Sequence, residues 1–216
     1  MDILFWIQVT FILVLVTSQF TKMLKEVKGT SISFFLFSDL YFAILLWQSS
    51  IAQALKPTQA TQQIIIIYLL AVAGYTALLL LRLIKKRDWT KGDNSSLVIV
   101  LPGVVLGAAL FIIEGAITPI NRMILAIALK AAPQGFLVPR VMKEGHSGLS
   151  AIFVAAFNLF NLFRISQLVI ANIATGWDIN SVVLLLAETV NEITWLAVSA
   201  AWLRHLQQQK LSPASV

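Results

Sequence analysis

Residues 64–81 read IIIIYLLAVAGYTALLLL, a run with neither a charge nor a proline. Extended to 61–84, it is long enough for a helix across ~30 Å of hydrocarbon, which takes about 20 residues. An unpaired strand there would leave its backbone polar groups unsatisfied in lipid, so the run is read as a transmembrane helix. Working outward, six further apolar windows follow, at 3–20, 31–51, 97–113, 119–138, 149–171 and 180–203. The fourth is interrupted by Pro102 and Gly103 and ends at Glu114. Hydrophobic residues make up 58% of the chain and charged ones 12%. A soluble domain carries about 25% charge, so a water-soluble fold of this length could not hide so much apolar surface. The fold class is therefore an all-α membrane protein with seven transmembrane helices and the lipid bilayer as its first partner.

The polar breaks orient the chain. Lys22, Lys25 and Lys28 follow the first window, and Arg82, Lys85, Lys86, Arg87 and Lys91 the third. Arg140 and Lys143 follow the fifth, and Arg204 and Lys210 the seventh. The alternate loops hold only Lys56 and Arg122. About 12 cations against about 2 place the odd-numbered breaks in the cytoplasm, the N-terminus outside and the C-terminus inside. Met1-Asp2 leads straight into the first apolar run without the positive charge of a secretory signal, so that run is read as a retained helix.

Composition also excludes chemistry. The chain has no cysteine, which rules out disulfides and thiol nucleophiles. His146 and His205 are too far apart for a histidine metal cluster. The net charge of +6 lies in the loops and is not read as a nucleic-acid footprint. No P-loop, zinc motif or nucleophile elbow is found, and no cofactor is expected. The last window, 180–203, lacks the lysine that a retinal-linked seven-helix protein needs. The chain is not read as an enzyme.

An internal repeat is visible. Ser18-Gln19-Phe20 and Lys28-Gly29-Thr30-Ser31-Ile32-Ser33 precede the second window. Pro133-Gln134-Gly135 and Glu144-Gly145-His146-Ser147-Gly148-Leu149-Ser150 precede the sixth, with Ser33 set against Ser150. Because the fourth helix crosses the membrane, the two halves keep one orientation, as in transporters built from parallel repeats. On these residues the chain resembles the PQ-loop superfamily of SWEET, SemiSWEET, cystinosin and KDEL-receptor proteins. The resemblance implies two parallel three-helix bundles joined by a linker helix (3+1+3), with a solute path between them. The units would be 1–90, a linker helix in 91–116, and 117–216 with a short cytoplasmic tail. It also implies a solute-binding asparagine at Asn191, in the third helix of the second bundle, whereas the third window offers Gly74, Tyr75 and Thr76 instead. Pro133 matches a hinge proline of SWEETs, and Ser18 stands where the first copy would have one. Trp47 stands where SWEET-like proteins place an aromatic, but its counterpart is Arg164, which points away from a plain neutral sugar.

The candidate charges inside the membrane, away from the window ends, are Asp39, Lys130, Arg164, Glu188 and Glu192. Each costs roughly 2.5–3.5 kcal/mol to insert and needs a partner or a wet cavity. Counting ~1.5 Å per residue from the outer ends places Arg164 at ~10 Å, Glu188 at ~12 Å, Lys130 at ~16 Å and Glu192 at ~18 Å. The depths predict two ion pairs, Arg164–Glu188 and Lys130–Glu192. Such pairs either hold the second bundle together or carry substrate and protons, and both readings stand at this level. Asn158, Asn161 and Asn191 lie at similar depth and either bind solute or hydrogen-bond between helices, at ~0.6 kcal/mol each. Asp39 has no cationic partner in its own half. It reads either as a neutral acid bonded to Gln19 or Gln48, or as a proton-coupling or substrate residue. Pro133, beside Gln134 and Gly135, should kink its helix and serve as a hinge or a static bend. Trp6, Trp47, Trp177 and Tyr41 suit lipid-interface or packing roles.

The function expected is transport of a small polar, charged or zwitterionic solute by alternating access, with protons as a candidate co-substrate. The alternative is a non-transporting receptor or a subunit of a larger membrane complex, since fold does not fix function. Homo-oligomers are compatible with either.

Overall fold

The computed structural model describes residues 3–27, 30–86, 89, 91–114, 118–144 and 148–211. Of the motif residues quoted above, Lys28, Gly29, Gly145, His146 and Ser147 lie outside them, as do Met1, Asp2 and Arg87. The side chains of Lys91, Glu114, Glu144, Asn180 and Lys210 lie outside as well.

The seven apolar windows form helices: α1 (Ile3–Lys25), α2 (Ile32–Leu55), α3 (Gln59–Lys85), α4 (Lys91–Glu114), α5 (Pro119–Lys143), α6 (Ala151–Thr175) and α7 (Ile179–Leu211). All seven contain stretches long and apolar enough to span a membrane. Most run past the windows, because hydropathy marks the part that needs lipid while helices continue into water; α7 extends furthest, to Leu211. Four starts carry a side-chain cap on an orphan backbone N–H. Ser31 accepts from Phe34, Thr58 from Thr61, Thr118 from Asn121 and Ser150 from Phe153. Ser31 and Ser150 thus cap α2 and α6 in the same way.

α5 is the irregular element. Its α-turns Pro119–Ala126 give way to a π-helical stretch, Ile127–Ala131. A short segment Ala132–Gly135 leads to a turn at Phe136, and Leu137–Glu144 completes the helix. Pro133 supplies no N–H to the preceding turn, so the ladder must loosen there. By contrast, Pro102 sits inside α4 without ending it.

α3 packs against both α1 and α2, and α7 packs against both α5 and α6. Across the molecule α1 meets α6, and α2 meets the π stretch of α5. Lipid cannot drive helices together by the hydrophobic effect, so shape and small residues decide these contacts. α4 shows this clearly. Gly103 and Gly107, four apart, bring its backbone against α5. A methyl at Gly103 would stand 2.3 Å from Ala128 Cβ, and one at Gly107 2.7 Å from Leu125 Cδ2. Asn121 Nδ2 donates to the Gly107 carbonyl at 3.0 Å. At its other end α4 is tied to α2. The Asp93 carboxylate accepts from Ser31 Oγ (2.6 Å), Ser33 N (3.0 Å) and Ser33 Oγ (2.8 Å). The outward side of α4, with Val98, Val105 and Ile112 exposed, suits lipid.

Gly103→Ala is expected to lower stability by about 1–3 kcal/mol, because Ala128 Cβ yields only if a backbone moves. Gly135, where an added methyl would meet nothing within 4 Å, is the control. Gly135→Ala is expected to be neutral or stabilising by up to ~1 kcal/mol. Equilibrium unfolding in mixed micelles compares the two.

Candidate functional site

α1, α2, α3, α5, α6 and α7 line a cavity of about 100 Å³ that is partly open to the exterior. It occupies the half of the molecule nearer the start of α1. Gln8, Ile64, Arg122, Leu168 and Leu184 line its part nearer the start of α1, and Leu15, Tyr75, Lys130 and Glu188 the part nearer the middle of the helices. Gln8 Nε2 donates to Gln167 Oε1 at 2.8 Å, joining α1 to α6.

Lys130, at the π stretch, projects across the interior. Its Nζ lies 3.6 Å from Glu188 Oε2 on α7. It also stands over the rings of Tyr41, Phe42 and Phe157, at 5.7, 5.9 and 5.6 Å from their centroids. Rings this close attract a desolvated ammonium by their negative faces, adding to the ion pair. The pairing differs from the depth count. Glu188, not Glu192, is the partner of Lys130, and Arg164 makes no ion pair within 4 Å among the described residues. Arg122 lines the same cavity, and its buried Nε has no hydrogen-bond partner. The wall thus carries three cations, Arg122, Lys130 and Arg164, and one carboxylate, Glu188. In the sequence Arg122 reads only as a loop charge. Tyr41 reads there as a packing or interface residue; in the fold it is buried, lines the cavity and stands within electrostatic reach of Glu188, Arg122 and Arg164.

None of Asp39, Asn158, Asn161, Asn191 and Glu192 is among the residues lining the cavity. Asp39 Oδ2 accepts from Thr76 Oγ1 at 2.9 Å, so its partner is on α3 and is neither Gln19 nor Gln48. Asn158 Nδ2 donates to the Val154 carbonyl and to Ser199 Oγ, an interhelical bond between α6 and α7. Asn161, Asn191 and Glu192 are at most 4% exposed, and the Asn191 amide finds no hydrogen-bond partner. Glu192 lies one turn beyond Glu188 on the same face of α7 and is a neighbour of Asn161. Gln134, beside Pro133, accepts from Thr194 Oγ1 at 2.8 Å, while its buried Nε2 is unpaired.

Beyond this polar layer the interior is closed by aromatic rings from both halves. Trp195 lies 4.6 Å from Phe157 and 5.9 Å from Phe34 and Phe153, centroid to centroid. Further still, α1 is latched to the segment entering α6. Gln19 donates to the Gly148 carbonyl at 3.2 Å and accepts from Ser150 N at 2.8 Å. Lys22 Nζ donates to the Leu149 carbonyl at 2.7 Å. Gln134, which the sequence sets against Gln19, bonds instead to Thr194 on α7.

No family model matches the chain, and no curated protein or solved structure shows significant similarity to it.

Proposed function

We propose that this integral membrane protein is a carrier that moves a small, charged, polar solute by alternating access between two three-helix bundles. The bundles are 1–90 and 117–216, with the helix of 91–116 as linker. The carrying observation is a charged, partly open cavity lined by six helices, with contacts between α1, α2 and the later helices lying beyond it. The pairing of helices supports the repeat. α1 on α3 and α2 on α3 are echoed by α5 on α7 and α6 on α7, and α1 on α6 is echoed by α5 on α2. With the N-terminus outside, as the loop charges indicate, the cavity faces outward and the latch at Gln19 and Lys22 is the inner gate. The kin proposed for this arrangement is the PQ-loop superfamily, on the repeat residues Pro133-Gln134 and Gly148-Leu149-Ser150.

The test uses the chain's lack of cysteine. Ala187→Cys, in the cavity wall, is expected to react with a membrane-impermeant thiol reagent from the outer face and to be protected from the inner one. Adding Gln19→Ala and Lys22→Met is expected to admit the reagent from the inner face. Equal labelling from both faces of the single variant, or no flux of any solute in proteoliposome counterflow, would refute the carrier reading. Stable co-purification with a large assembly and no flux would instead identify a receptor or subunit.

A further inference from the structure

The wall of the cavity has an excess of positive charge that the protein itself does not balance. Lys130 is answered by Glu188 and by three aromatic rings. Arg122 and Arg164 line the same space with no carboxylate within 4 Å among the described residues, and Arg122 Nε is buried without an acceptor. Both side chains are partly exposed and Arg122 Nε is buried; a guanidinium so placed pairs with an acceptor of matching shape, and a carboxylate or phosphate provides one bidentately. A cationic solute would add like charge to the wall. A neutral polyol would leave both guanidinium charges uncompensated. The rest of the lining is apolar and aromatic, with Tyr68, Tyr75 and Phe160 among its rings, and is unsuited to a body covered in hydroxyls.

We propose that the cavity binds an organic anion, its carboxylate or phosphate met by Arg122 and Arg164 and its flat apolar body lying against the aromatic wall. This deepens the carrier reading and rests on it for the fate of the solute. Glu188 sets the limit on charge, since it holds Lys130 and repels a second anionic group deeper in the cavity.

Calorimetric titration and thermal unfolding of the whole purified protein in neutral detergent test this at one fixed ionic strength. The probes are benzoate and phenyl phosphate, against benzyl alcohol, benzylamine and inorganic phosphate. The two aromatic anions are expected to bind and raise the unfolding midpoint, and the neutral and cationic analogues are not. Arg122→Gln and Arg164→Gln are each expected to weaken anion binding by about tenfold or more, the loss of a charge-assisted hydrogen bond, with Arg164→Lys retaining most of it. Equal binding of benzyl alcohol or benzylamine overturns the proposal, as does a failure of both anions or wild-type affinity in both glutamine variants. Stabilisation by phosphatidylglycerol but by neither soluble anion also overturns it, because the guanidinium groups would then hold a lipid headgroup. If a glutamine variant does not fold, the comparison of probes on the unaltered protein still decides. Flux without preference for anions sinks the anion and leaves the carrier; anion binding without flux does the reverse.

Discussion

Lys130→Met is expected to cost about 1–3 kcal/mol of stability, because it leaves the Glu188 carboxylate, only partly exposed beside apolar and aromatic surface, without its ion-pair partner. Replacing both members, Lys130→Met with Glu188→Met, is expected to recover most of that loss, since a buried pair exchanged for apolar side chains is often neutral. A double-mutant cycle measured by unfolding in mixed micelles should therefore show strong coupling between positions 130 and 188. The same cycle between 130 and 192 should show much less, because the 3.6 Å contact of Lys130 is with Glu188. Additive losses at 130 and 188 would contradict the pairing. Coupling of Glu188 to Arg164 instead would restore the pairing expected from depth alone.

The second large effect is expected at Trp195. Its side chain is fully buried and touches Phe157, Phe153 and Phe34, the last from the opposite half. Trp195→Ala is expected to cost about 3–5 kcal/mol through lost contacts and the void left behind. Trp195→Phe keeps a ring and discards an indole N–H that has no acceptor, so its cost should stay below about 1.5 kcal/mol. In the carrier the alanine variant should also leak, since the rings close the interior beyond the cavity. A Trp195→Ala protein as stable as its parent would show that the rings do not pack as described.

The seven spans are legible in the sequence because apolar length is a one-dimensional property, and α3 announces itself in 64–81. The pairing of Lys130 is not legible there, for reasons of length. Glu188 and Glu192 differ in depth by about one helical turn, ~5.4 Å. Helix ends read from sequence are uncertain by one or two residues, a sizeable part of that turn. A depth count also assumes a straight helix, whereas the π stretch at Ile127–Ala131 alters both rise and facing just where Lys130 sits. The signal for that disturbance is Pro133, which reads as a hinge a few residues further on. Asn158, Asn161, Asn191, Asp39 and Glu192 stand out because polar groups in lipid are unusual, which finds them but does not say which way they face. Rotation about the helix axis separates Glu188, in the cavity wall, from Asn191, outside it. Arg122 escapes notice because its position three residues after Pro119 makes it look like a water-exposed loop charge. Gly103 reads in the sequence only as an interruption of the fourth window; its packing role, with Gly107, against α5 comes from the fold.

α4 is fastened at two places to two different neighbours: by Asp93 to the beginning of α2, and by Gly103 and Gly107 to α5. A rod anchored in this way resists vertical sliding of one half past the other. In the carrier proposed above, this leaves tilting about a fulcrum near Asp93 as the motion expected between the halves. Trimming the Ser31 and Ser33 hydroxyls would loosen that pivot without touching a single residue of the cavity wall.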